Sequence, residues 1–112
     1  MRDELGQSEV AKATETGQNP YSLLLDAMPD APTDLLVLPY FSATGTPYFD
    51  TRAKGAIIGI QLTTTKGEIT RALLEGVAFE MKLNLQLMEE SGMKIVTFIA
   101  TGGGTKNKNW TQ

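Results

Sequence analysis

The sequence predicts an α/β fold, and three observations carry that expectation. Two short apolar runs, Leu35–Leu38 and Gly55–Leu62, are rich in branched residues and bounded by proline or glycine, as strands are. A long amphipathic stretch from about Lys66 to Ser91 has the 3.6-residue period of a helix. A third apolar run, Ile95–Ala100, reads as a buried strand and stops at Gly102, Gly103 and Gly104. Strand, strand, helix, strand is an α/β order, and the helix would then connect strands as a βαβ crossover.

Composition bounds what the chain can do. Its 112 residues suffice for one small domain with a modest core. Ten basic and thirteen acidic residues give a net charge of −3, which argues against a nucleic-acid partner, since that wants a clustered positive surface. Cysteine and histidine are both absent. That excludes disulfides, thiolate or imidazole metal sites, and Cys or Ser–His nucleophiles. No leader-like or membrane-length apolar run appears, so a cytoplasmic protein with no membrane partner is expected.

In chain order, residues 1–5 read as a last helical turn with Gly6 as a left-handed stop. Ser8 to about Thr16 reads as a short helix closed by Gly17. Asn19-Pro20 is a helix start: the Asn side chain accepts backbone N–H bonds, and proline suits the first helical position. That helix carries Tyr21, Leu24, Leu25 and Met28 and ends before Pro29. The strand Leu35–Leu38 stops at Pro39, and a segment without periodicity runs from Tyr40 to Lys54. Tyr40, Phe41, Tyr48 and Phe49 are expected to pin it to the body, with Arg52 and Lys54 solvated.

Thr65 and Glu68 have capping-box spacing at the start of the long helix, and Gly92 is its stop. Glu68, Arg71, Glu75, Lys82, Gln86 and Glu89 fall on one stripe, so more than half of the circumference is expected to be buried. Glu80 and Asn84 sit off that stripe, one turn apart. A buried carboxylate can be catalytic, but with no histidine or second acid nearby a hydrogen-bonded or edge position is the better reading. Trp110–Gln112 read as the first turn of a further helix, so a piece of something longer is expected.

The glycine corner admits two readings. Bare amides at a strand end, with a helix dipole behind them, make an anion or nucleotide-phosphate site. Equally, three glycines can form a tight connection with no ligand. The pattern is neither the Rossmann fingerprint nor a P-loop.

Several motifs then occur in an order that resembles a known family. Leu38-Pro39-Tyr40-Phe41-Ser42, Thr46-Pro47-Tyr48-Phe49-Asp50 and Arg52-Ala53-Lys54-Gly55 through Ile60 resemble the C-terminal domain of FGGY-family carbohydrate kinases, xylulokinases above all. Glu68, Ile69, Ala72 and Leu74-Glu75-Gly76-Val77-Ala78-Phe79 fit the family's helix, with Leu73 a slight departure. Ala100 to Gly104, with Trp110 and Gln112, resembles its nucleotide loop.

The resemblance implies a partial ribonuclease-H-like domain of the actin/hexokinase type, truncated before its last helices. Residues 1–34 would be a helical segment and residues 35–112 the α/β core piece. It implies ATP and Mg²⁺ as cofactors of the whole kinase, and a sugar, xylulose first, as substrate. Gly102, Gly103 and Gly104 would be the turn against the adenosine and α-phosphate, and Asn107 a position able to bond the adenine. No role carries over to Lys106. The family's catalytic aspartate has no counterpart here, and neither Asp50 nor Glu75 is the base, so no catalytic residue is assigned and the isolated chain is expected to be inactive. Two alternatives stand beside this: a non-catalytic interaction module that docks through residues 40–54, or a piece of another actin-fold ATPase. A truncated chain would also expose apolar surface through which copies could associate.

Overall fold

The computed structural model describes residues 6–42 and 44–108, the Lys106 side chain excepted. The readings for residues 1–5 and 109–112 therefore lie outside the described residues. Helix α1 is Gln7–Thr16 and helix α2 is Pro20–Asp26. Gly6 is the N-cap of α1 with φ −108°, not the left-handed stop of a preceding turn. Gly17 closes α1 with φ 70° and donates its N–H to the Ala13 carbonyl. At the next boundary the Asn19 side chain accepts the Tyr21 N–H at 2.9 Å, and Pro20 takes the first helical position, where its missing N–H costs nothing. Ala13, buried, lies where α1 packs on α2.

Strand β1 is Leu36–Leu38 and strand β2 is Ala56–Ile58. They pair antiparallel, with Val37 opposite Ile57. Helix α3, Lys66–Glu90, lies across β1 and also touches α2. The reciprocal cap forms as its spacing requires: the Thr65 hydroxyl accepts the Glu68 N–H at 3.2 Å, and the Glu68 carboxylate accepts the Thr65 N–H at 2.6 Å. Those bonds hold the Glu68 carboxyl below its usual pKa.

Positions 69, 72, 73 and 76 share one face of α3 by helical spacing. Val37, Ala72 and Leu73 form the core on that face, with Leu35, Ile57 and Ile69 packed against it. Burying a side chain the size of Leu73 contributes about 1.5–3 kcal/mol. Two glycines let α3 come this close. A Cβ on Gly67 would stand 2.1 Å from the Ala27 carbonyl oxygen, and one on Gly76 would stand 2.8 Å from that of Val37.

Five further expectations need correction. The run Ile95–Ala100 is not a buried strand: it forms no strand among the described residues, and Val96, Phe98 and Ile99 are exposed. A strand exists only by pairing, and no described neighbour offers an edge to this one. Consequently no βαβ crossover forms among the described residues, whose sheet consists of two antiparallel strands that both precede α3. Both strands are shorter than expected, and in β1 only Val37 is buried. Helix α3 is buried over its first half alone, at Gly67, Ala72, Leu73 and Gly76, whereas Val77, Phe79, Met81, Leu87 and Met88 are exposed. Amphipathicity marks which face seeks cover, not whether cover is supplied. Finally, Tyr48 and Phe49 are exposed and do not pin residues 40–54 as expected, whereas the Phe41 ring, though also exposed, lies against Gly55, 2.6 Å from where a Cβ on it would stand.

Candidate functional site

The glycine corner follows directly on the unpaired run. Gly102 has φ 99° and ψ −175°, a conformation that glycine alone adopts without strain. A 3₁₀ turn over Gly103–Lys106 comes next. Thr105 holds the corner: its N–H and its hydroxyl both donate to the Gly102 carbonyl, at 3.2 Å and 2.7 Å. Asn107 donates its N–H to the Gly104 carbonyl at 3.3 Å. The amides of Gly103 and Gly104 precede the first bond of the turn, so none of its carbonyls is available to them. Gly102, Gly103 and Gly104 are exposed, and Asn107 is half-buried. Among the described residues, no heavy atom beyond the adjoining residues lies within 4 Å of where a Cβ would stand on Gly102 or Gly103.

The structure thus brings all four expected positions, Gly102, Gly103, Gly104 and Asn107, into one turn. The helix expected directly after the glycines is a 3₁₀ turn instead. Sequence reading missed Thr105. Its signal was a hydroxyl three residues after a glycine, the spacing at which such a side chain returns to the backbone.

Two clusters on α3 show what Glu75 and Glu80 do. Glu75 accepts the Arg71 Nε–H at 2.9 Å, the Thr33 hydroxyl at 3.0 Å and the Thr33 N–H at 3.4 Å. Arg71 also donates to the Pro29 carbonyl at 2.8 Å, so the pair clamps the segment before β1 onto the helix. A carboxylate committed to three donors is a strut rather than an available base. Glu80 accepts the Tyr40 hydroxyl, and Asn84 donates to the Glu80 carbonyl at 2.9 Å. This hydrogen-bonded arrangement is the better of the two readings weighed for Glu80. Stripping the Tyr40 proton would set two negative charges side by side, and the bond to Glu80, with partial burial, pushes the phenol up to about 12.

Between them, residues 44–52 fold on themselves. The Thr44 hydroxyl accepts the Asp50 N–H at 2.7 Å, and the Asp50 carboxylate accepts the Arg52 N–H at 2.8 Å. Arg52 is exposed, as expected for a solvated side chain. Among the described residues, no group of three or more acidic, cysteine or histidine side chains could hold a metal ion. No described helix is long and apolar enough to cross a membrane.

The fold has counterparts among known proteins. The chain is 32% identical over 88 residues to the xylulose kinase of Bacillus subtilis, covering 79% of this chain and 18% of that one. The crystal structure of xylulose kinase from Rhodospirillum rubrum superposes with a TM-score of 0.74 at 29% identity, over 96% of this chain and 22% of that one. Plasmodium falciparum glycerol kinase, solved with ADP, gives a TM-score of 0.72 at 29% identity, again over 96% of this chain and 22% of its own. These are sugar kinases of the actin/hexokinase-like fold, of which the present α/β chain resembles a part. The chain matches the C-terminal domain of the FGGY family of carbohydrate kinases over residues 2–112, and it belongs to that family. It spans about a fifth of the length of these relatives.

Proposed function

We propose that this chain is the adenosine-facing part of an ATP-dependent carbohydrate kinase. The whole enzyme would transfer the γ-phosphoryl group of ATP to a sugar hydroxyl. In such transfers there is little covalent chemistry for the protein to perform, and catalysis is mostly positioning and charge stabilisation. This chain's share is positioning. The exposed amides of Gly103 and Gly104 would face the adenosine and α-phosphate, and Asn107 would bond the base. Thr105 keeps the corner shaped for that approach.

One observation carries the reading: open space at Gly102 and Gly103. Neighbouring atoms do not explain why glycine stands at Gly103, but a ligand that approaches the main chain does. Family membership supports a nucleotide as that ligand, and one solved relative holds ADP. Mg²⁺ would be a cofactor of the whole kinase; among the described residues of this chain no group of three or more acidic side chains could hold it.

Xylulose is the first choice of substrate; the chain resembles xylulose and glycerol kinases alike. With the catalytic aspartate and most sugar contacts placed elsewhere by the resemblance, the isolated 112 residues should give no ADP in a coupled release assay. A cytoplasmic setting fits this metabolic role.

Calorimetric titration with ATP tests the proposal. Saturable binding that disappears in Gly103→Asp supports it, because a carboxylate there would meet the phosphate with like charge. Indifference of the unaltered chain to ATP favours the interaction module instead.

A further inference from the structure

We draw no further inference here: the strongest candidate, the exposed apolar stripe of Val77, Met81 and Met88 along the second half of α3, is an unpartnered helix face, and nothing in the structure shows what covers it.

Discussion

Two pairs of glycines in this molecule exist for opposite reasons. Gly67 and Gly76 are buried where α3 meets other backbone, and a Cβ on either would collide with a carbonyl oxygen. Gly102 and Gly103 are exposed, and a Cβ on either would meet nothing. At the first pair glycine is explained within the fold. At Gly102 it is explained by φ 99°, while at Gly103 nothing among the described residues explains it, and the proposed function supplies a ligand as the cause. Residue type alone does not separate a packing glycine from an open one; the space around its Cα does.

Substitutions can break that contrast. The largest loss is expected from Gly67→Ala, whose methyl would stand 2.1 Å from the Ala27 carbonyl oxygen. Relieving it means moving α2 off α3, at a cost of about 3 kcal/mol, read from urea unfolding. Gly76→Ala, at 2.8 Å from the Val37 carbonyl oxygen, should cost about 2 kcal/mol in the same assay. Gly103→Ala should change stability by less than about 0.5 kcal/mol. If Gly103→Ala proves as damaging as Gly76→Ala, the corner is packed after all and the contrast is gone.

Tyr40→Phe should cost about 1 kcal/mol by leaving Glu80 without its donor. Here pH supplies a second check. The folded-state pKa of Tyr40 is pushed up to about 12 from an ordinary 10.0, so its contribution is full below pH 10 and fades as pH rises through 12. The stability gap between the unaltered chain and Tyr40→Phe should shrink over that window. The smallest effect belongs to Lys66, which reaches Glu9 on α1 at 2.7 Å. The Lys66 bond holds the Glu9 carboxyl below its ordinary 4.5, so any stabilisation is present above that pH and lost as pH falls beneath it. Lys66 is partly exposed, and Lys66→Ala should cost under about 1 kcal/mol.

Much of this was legible because it is local. The Thr65–Glu68 box, the Asn19–Pro20 start and the stops at Gly17 and Gly92 are each encoded within about four residues, and each forms. Family membership was readable for a related reason, as several short motifs occur in order. What failed was non-local. Ile95–Ala100 has every property of a strand except a partner, and the second half of α3 has an apolar face without cover. The Tyr40–Glu80 bond spans forty residues and is invisible in either segment alone, although Glu80's place off the polar stripe was a trace of it. At the candidate site the glycines stood out as bare amides after an apolar run, and Asn107 was added by resemblance. Thr105, which shapes the corner, was not, because its hydrogen bond to Gly102 is a matter of conformation.

The most direct test compares the two pairs of glycines in one experiment. In amide NMR spectra of the chain titrated with ADP, the signals of Gly102, Gly103 and Gly104 should move and saturate, while those of Gly67 and Gly76 stay in place. Signals at 102–104 that ignore ADP, or that move no more than those of the packed pair, would contradict the account.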